Sequence, residues 1–314
     1  MQLSDRIGRR IKLQHLHVLM TVVQSGSMKK AAALLNTSQP AISRSIAELE
    51  QTIGVRLLDR HTQGIEPTEY GRAMLKHGVA AFDELKQGVK TIELLADPGA
   101  GEVRIGSSIY TGETFVTAVI DRLSRRYPRI AFHLVTSDEP DTLYRELSER
   151  NVDFLIARKG GRLGDEKFGF EILYDPSSVV VAGSRSPWAR RRRIALGELV
   201  NEPWVLPPPE GIMGPAYLDI FRASGLDHPR IAVFATQPGA RLNLVATGRF
   251  LTITTGGVFG LSKRPGIKVL PIKLQYTRAP VGIITLKNRT LNPTAQLFID
   301  EAREVAEALA KRKW

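Results

Sequence analysis

The residues of this chain best suited to chemistry fall into two groups. The first is a short polar run, Ser38-Gln39-Pro40, followed by Ser43 and Arg44. Ser38 is a good acceptor for the free N–H groups of a helix start, and proline is tolerated in a first helical turn because no N–H bond is needed there. At about 100° per residue, Pro40, Arg44 and Ala47 lie roughly opposite an apolar stripe of Ile42, Ile46, Leu49 and Ile53, with Ser43 on the flank. A helix face that is small, polar and carries one guanidinium suits a DNA groove. Arg44 can reach a phosphate or form a bidentate pair with guanine. The N–H groups near Ser38 and Gln39 aim partial positive charge at a phosphate. Glu48 and Glu50 repel phosphates, so contact is expected only along the N-terminal half of this helix.

The second group is a set of hydroxyl residues: Ser107 and Ser108 after Gly106, Thr136-Ser137, Thr236-Gln237, and Thr254-Thr255-Gly256. Each follows a predicted strand or opens a predicted helix. Ordinary capping accounts for any one of them. Four at corresponding strand ends point to a pocket, and hydroxyls beside free helix N–H groups favour a carboxylate or other anion. The arginine run 190–193 reads as a solvated loop. No GxxxxGK[ST], HExxH or GxSxG pattern is present, and six scattered histidines offer no ligand spacing. Neither a catalytic centre, a metal nor a cofactor is expected.

Both groups need elements to position them. Leu16, Leu19, Met20 and Val23 mark one face of a first helix, which Gly26 ends. Ser27 can cap a second helix over 28–35, with Ala31, Leu34 and Leu35 packing inward, and Asn36-Thr37 make the turn into the Ser38 helix. After Gly54, residues 55–60 and 65–68 read as two short strands around a turn at Gly64. Arg60, His61, Thr62 and Gln63 sit near the tip of that wing. Thr68 can then cap a helix reaching about residue 96. Its stripe of Leu75, Phe82, Leu85, Val89, Ile92 and Ala96, with Gly78 as the small position, is narrow and sustained, as in a seam that pairs two chains. The run 97–101 breaks the chain. Beyond it strands and helices alternate, which predicts a parallel sheet with helices on both faces.

Composition sets outer limits. The 314 residues suffice for two domains, and the absence of cysteine excludes disulfides and thiol chemistry. No apolar run is long enough to span a membrane and no export signal is apparent, so a cytoplasmic protein without a membrane partner is expected. A net charge of +12 favours a polyanionic partner. Residues 1–62 hold nine basic and four acidic residues, leaving +7 further along, so not all of the excess need serve DNA.

Taken together, Leu16 to Gly26, Ser27, Ala31-Ala32, Leu34-Leu35, the run Ser38-Gln39-Pro40-Ala41-Ile42-Ser43, Ile46, Leu49-Glu50, Gly54, Leu57-Leu58-Asp59-Arg60 and Pro67-Thr68-Glu69-Tyr70-Gly71 resemble the LysR-type transcriptional regulators. The resemblance covers essentially the whole chain. It implies an α/β fold with an N-terminal winged helix-turn-helix, and a type 2 periplasmic-binding-protein-like effector domain of two α/β subdomains. The implied limits are 12–69 for the DNA-binding domain, 70–97 for a dimerising linker helix, and 101–302 for the effector domain. That domain's subdomains would be 101–162 plus 266–302, and 163–265.

By that resemblance Ser27, Ser38, Gln39, Pro40, Ser43 and Arg44 contact double-stranded promoter DNA, and Arg60, His61, Thr62 and Gly64 form the wing contact. The effector, a small carboxylate or polyol, lies between the subdomains near Ser107, Ser108, Thr136, Ser137, Thr236 and Thr254. The implied assembly is a homotetramer, a dimer of dimers, and RNA polymerase is a further partner the resemblance allows. Two departures stand out. Met28-Lys29-Lys30 replaces an aromatic and a small hydroxyl residue, adding charge near the DNA, and Pro207-Pro208-Pro209 makes a stiff loop near the cleft. A solute-binding protein or an enzyme on the same α/β frame would lack the N-terminal helices or need a catalytic constellation.

Overall fold

The computed structural model of the chain describes residues 7–61, 64–97, 99–158, 166–175, 178–210, 213–255, 264–274 and 280–310. They form two compact units, 1–88 and 89–314. In the first, α1 (Leu13–Ser25), α2 (Met28–Leu34) and α3 (Gln39–Ile53) precede a hairpin of β1 (Leu58–His61) and β2 (Gly64–Pro67). The helix α4 (Glu69–Ala96) follows, and its start is capped by Thr68, whose Oγ1 accepts from Gly71 N at 3.0 Å. Asn36 adopts a left-handed φ of 49° in the turn between α2 and α3. The core comes from Val18, Leu19, Val22, Met28, Ala31, Ala32, Ile42, Ile46, Leu49, Leu57 and Leu58. Gly71 lets α4 close on the hairpin, since a Cβ there would stand 2.0 Å from the Leu57 carbonyl oxygen.

Two local expectations change. Leu34, expected inward, is 67% exposed. Met28, Ala31, Ala32 and Leu35 cluster on one side of α2 at about 100° per residue, and Leu34 lies roughly 110° from their centre. In the wing the first strand begins later than the expected 55–60 and the second earlier than 65–68, so the turn between them is tighter. On α4, Leu75 and Phe82 are partly buried, whereas Leu85, Val89 and Ile92 of the same stripe are exposed, with Leu95 beside them.

The second unit holds two five-stranded sheets. The first has the order β4-β3-β5-β12-β6, from β3 (Ala100–Ser107), β4 (Arg129–Thr136), β5 (Phe154–Arg158), β6 (Phe168–Tyr174) and β12 (Val281–Leu286). The second has the order β11-β7-β10-β8-β9, from β7 (Ser178–Gly183), β8 (Trp204–Leu206), β9 (Ile231–Phe234), β10 (Leu251–Thr255) and β11 (Ile267–Val269). Between β3 and β4 the chain runs through a short helix, α5 (Ile109–Thr111), a π-helical turn (Gly112–Val116) and α6 (Thr117–Arg126). Then come α7 (Pro140–Ser148), α8 (Gly214–Ala223), α9 (Pro238–Ala246) and the closing α10 (Pro293–Ala310).

Helices cover both faces of each sheet. On the first, Phe115, Val119 and Leu123 meet Phe298, Ile299 and Ala302 of α10, while Leu143, Tyr144 and Leu147 of α7 lie on the other side. On the second, Tyr217, Ile220 and Phe221 of α8 and Leu242 and Val245 of α9 do the same. The expectation of a parallel sheet holds for β3 with β4 and β5, and for β8 with β9 and β10. It fails for β12 and β7, each of which runs antiparallel to the strands on both of its sides. The expected subdomain limits shift with them. β6 belongs to the first sheet although 163–265 was assigned to the second, and β11 belongs to the second although 266–302 was assigned to the first. Each time the chain crosses between sheets, the first strand it lays down in the sheet it enters, β7 or β12, runs against that sheet's direction. The limit expected at 162/163 lies outside the described residues.

A buried ion pair ties the first sheet to its C-terminal connection. Arg289 Nη2 donates to Asp153 Oδ1 at 3.3 Å, both side chains being 3% exposed or less, and Asp153 Oδ2 accepts from Arg104 N at 2.9 Å.

Candidate functional sites

The helix α3 starts on Ser38, whose Oγ accepts from Ala41 N at 3.4 Å, with Pro40 inside the first turn. Ile42, Ile46 and Leu49 are fully buried on one side. Gln39, Pro40, Arg44 and Ala47 are exposed on the other, with Ser43 half-buried between. The expected site residues Gln39, Pro40, Ser43 and Arg44 thus share one continuous outward face with Ala47. Ser27 is half-buried at the start of α2, and its carbonyl accepts from Ala31 N at 2.9 Å. Lys29 and Lys30 are exposed, but Met28 beside them is buried, so only the lysines of that departure reach solvent.

In the wing, Arg60 and His61 are exposed on β1, opposite Ile65 and Gly64. Gly64 has a φ of 146°, and the neighbouring Ile65 N donates to the Gly26 carbonyl at 3.3 Å, which docks the hairpin on the α1–α2 turn. Thr62 and Gln63 lie outside the described residues.

Glu50 acquires a role that sequence reading did not find. Its Oε1 accepts from Leu57 N at 2.7 Å and Leu58 N at 3.2 Å, so the carboxylate pins the start of β1 to the last turn of α3. The available signal was its position. A glutamate in a last helical turn opposes the helix dipole and needs another partner. Glu48 stands 3.7 Å from His15 Nε2.

In the second unit a cleft of about 390 Å³, counting its open mouth, is lined by Tyr110, Asp138, Pro207, Pro208, Met213, Thr236, Pro238 and Arg241. Tyr110 follows the first sheet, and its hydroxyl is hydrogen-bonded to Thr254 Oγ1 and accepts from Thr255 N, both on β10 of the second. This tyrosine therefore latches one subdomain to the other. Burial pushes the phenols of Tyr174 and Tyr217 well above the usual range. Burial likewise raises the Asp138 carboxyl, opposed by the Ile109 N–H it accepts from and by the positive charge of Arg241. Arg241 is 2% exposed, and its Nη1 donates to the carbonyls of Ala235 at 2.8 Å and Thr236 at 2.7 Å. Its Nε is buried with no partner among the described residues, as are Tyr217 Oη and Thr255 Oγ1.

Of the six hydroxyl residues expected at a ligand, the structure brings Thr236 to the cleft wall and Thr254 to the latch. Ser107 is wholly buried and donates to the Ile156 carbonyl at 2.8 Å. Ser108 donates to Thr111 Oγ1 at 2.9 Å, and Ser137 Oγ accepts from Glu139 N at 3.0 Å. Thr136 is exposed at the end of β4, with its methyl 2.9 Å from where a Cβ on Gly112 would stand. The hydroxyls after β3 and β4 thus close turns, while the charged groups of the cleft, Asp138 and Arg241, come from positions that carry no motif. Pro207 and Pro208 line the cleft as the sequence suggested.

Among the described residues no cluster of histidine and acidic groups is arranged to hold a metal, and no helix is long and apolar enough to cross a membrane. The family model of the LysR substrate binding domain matches residues 96–307, and that of the bacterial regulatory helix-turn-helix protein, lysR family, matches 13–72. The chain is 27% identical to the HTH-type transcriptional regulator GbpR of Azospirillum brasilense, over 96% of this chain and 89% of that one. It is 25% identical to the HTH-type transcriptional regulator PcaQ of Agrobacterium fabrum, over 96% and 97%. Among solved structures, full-length CbnR complexed with its target DNA is similar with a TM-score of 0.55 and 21% identity, over 94% of this chain and 100% of that one. A full-length OxyR variant from Pseudomonas aeruginosa is similar with a TM-score of 0.62 and 18% identity, over 94% and 97%. At these identities the two structures speak for the fold.

Proposed function

Since this chain belongs to the LysR family of bacterial transcriptional regulators, we propose that it reads promoter DNA with the start of α3 and the wing, under the control of a small molecule held in the cleft of its second unit. It is a DNA-binding regulator and not an enzyme. The observation that carries the DNA reading is the exposed face of Gln39, Pro40 and Arg44, set by the Ser38 cap and the buried Ile42–Ile46–Leu49 stripe. Ser27, Ser38, Gln39, Pro40, Ser43 and Arg44 approach the major groove, with Lys29 and Lys30 adding attraction for phosphates. Arg60, His61, Thr62 and Gly64 make the wing contact. The reading assigns 12–69 to DNA binding, 70–97 to pairing and 101–302 to effector binding.

The exposed Leu85, Val89, Ile92 and Leu95 recur at steps of three and four along α4, which is the pattern of a seam buried against a second copy. Two such pairs, joined through their effector domains, would place two pairs of winged heads on separated half-sites and bend the DNA between them. RNA polymerase then meets an assembly whose geometry the effector has set. The ligand is a small carboxylate or polyol. Arg241 favours the carboxylate, and the hydroxyl of Thr236 serves either. It can shift the heads only through unequal affinity for two arrangements of the subdomains. The Tyr110 latch to Thr254 and Thr255 is a contact that such a shift would make or break.

Mobility shift and footprinting on the DNA upstream of the protein's own gene test this reading. Specific binding to two separated half-sites is expected, with a footprint that changes when a cleft ligand is added. Binding with no sequence preference overturns it. Leu85→Glu combined with Ile92→Glu should reduce the oligomer to single chains in sedimentation at micromolar concentration. An unchanged mass removes the seam from the account.

A further inference from the structure

The cleft carries one fixed charge of each sign, and the two do not pair. Asp138 follows β4 of the first sheet, and Arg241 lies on α9, packed on the second. Both line the same cleft, yet no ion pair joins them among the described residues. Each is held by its own backbone partners. Asp138 accepts from the Ile109 N–H, and Arg241 Nη1 donates to two carbonyls. Opposite charges in one half-enclosed space attract strongly, so keeping them apart requires those fixed bonds. What remains is a gap with a negative wall on one subdomain and a positive wall on the other.

That gap is also short of partners. Arg241 Nε is a charged donor, in a side chain 98% buried, with nothing to donate to among the described residues. Thr255 Oγ1, next to the Tyr110 latch, is buried without a partner among the described residues as well. Buried donors left unpaired are costly, above all charged ones, and a ligand that supplies an acceptor recovers the loss. The rest of the lining is apolar: Pro207, Pro208, Met213 and Pro238.

We propose that the ligand is a zwitterion, an α-amino acid with an apolar side chain, its carboxylate on Arg241, its ammonium on Asp138 and its side chain against the proline and methionine wall. The proposal rests on the reading of this cleft as the effector site and adds the chemical class. A ligand with one charge would leave the opposite wall charge uncompensated, and a simple dicarboxylate would set a second negative group against Asp138. A zwitterion satisfies both walls at once, and because those walls sit on different subdomains it also draws them together. Burial raises the Asp138 carboxyl, the Ile109 N–H and Arg241 oppose that rise, and a ligand ammonium beside it would oppose it further.

The test uses the full-length protein and four probes, L-valine, L-leucine, L-methionine and L-phenylalanine, followed by thermal denaturation and titration calorimetry. At least one should raise Tm by roughly 5–10 °C at a hundredfold excess over its Kd. The matching 2-hydroxy acid, which lacks the ammonium, and the matching amine, which lacks the carboxylate, should each bind at least about tenfold more weakly. Asp138→Asn should abolish the preference for the amino acid over the hydroxy acid, with circular dichroism confirming the fold. Arg241→Lys, which keeps the charge, should weaken binding about tenfold, with circular dichroism confirming the fold. Stabilisation by a hydroxy acid or by sorbitol, with no response to any of the four amino acids, overturns the zwitterion but keeps the cleft as the effector site. An amino-acid response that survives both Asp138→Asn and the cleft-filling Thr236→Trp overturns the zwitterion proposal and the cleft reading together.

Discussion

The DNA-reading face and the effector cleft carry polar groups on opposite terms. On α3, Gln39, Pro40 and Arg44 stand on the outside of a helix whose other side is sealed into a core, and water satisfies them until DNA arrives. In the cleft, Arg241 is buried and its Nε has no partner among the described residues, a demand that a ligand can satisfy. The first arrangement costs little in the free protein and lets association be steered by charge. The second stores an unsatisfied demand inside the fold, so occupancy there can change how the subdomains sit. A regulator needs both: a surface that binds without reorganising, and an interior that reorganises when it binds.

The difference can be tested from the side of stability. The strongest effect is expected where charge is buried and already satisfied. Asp153→Ala leaves the buried Arg289 charged and without its carboxylate, and should cost the second unit about 3–5 kcal/mol in chemical denaturation. If the loss is under about 1 kcal/mol, interior charges in this unit are more tolerant than the contrast requires. Next comes the support beneath the DNA face. Glu50→Ala removes the acceptor of two backbone N–H groups at the start of β1 and should destabilise the first unit by about 1–3 kcal/mol. Binding should weaken with it if the wing takes part. An intact wing contact in a footprint of this variant would show that the hairpin needs no such anchor.

The smallest effect belongs to exposed pairs. The hydrogen bond from Arg303 holds the Glu171 carboxyl below its ordinary value of 4.5, and that from Lys90 does the same for Glu102. A depressed carboxyl contributes stability that is present above the unfolded pKa and is lost as pH falls through the folded one. The second unit should therefore lose stability below about pH 4.5, and Glu171→Gln should flatten that slope slightly. Solvent and salt screen a pair this exposed. A slope unchanged by the substitution assigns the acid loss to other groups.

The two regions also differ in how much the sequence tells. On α3 everything needed is local. A period of about 3.6 residues separates Ile42, Ile46 and Leu49 from Arg44, and capping by Ser38 sets the start. The same locality misplaced Leu34, because α2 is so short that one apolar residue off-phase is indistinguishable from the core until neighbours are known. Glu50 was read as a phosphate repellent because its partners lie seven and eight residues away across the reversal at Gly54.

In the second unit the strands β3, β4, β5, β7, β8, β9, β10 and β12 were visible as apolar runs, but β6 and β11 were not. The direction of β7 and β12 was misjudged, since a reversed strand leaves no mark in composition. The cleft was the least legible part. Tyr110, Asp138, Met213 and Arg241 are far apart in the chain and belong to no motif. Ser107 and Ser137, which did stand at strand ends, spend their hydrogen bonds on the backbone.

The central claim is that DNA reading is confined to the N-terminal half of α3. Its most direct test is the affinity of full-length Arg44→Ala and Glu48→Gln for the upstream DNA, measured by fluorescence anisotropy at one fixed salt concentration. Arg44→Ala should weaken specific binding by about 1–3 kcal/mol, roughly 5- to 150-fold, while Glu48→Gln should leave it unchanged or tighten it. Equal affinities for wild type and Arg44→Ala, or a loss in Glu48→Gln as large as in Arg44→Ala, would contradict it.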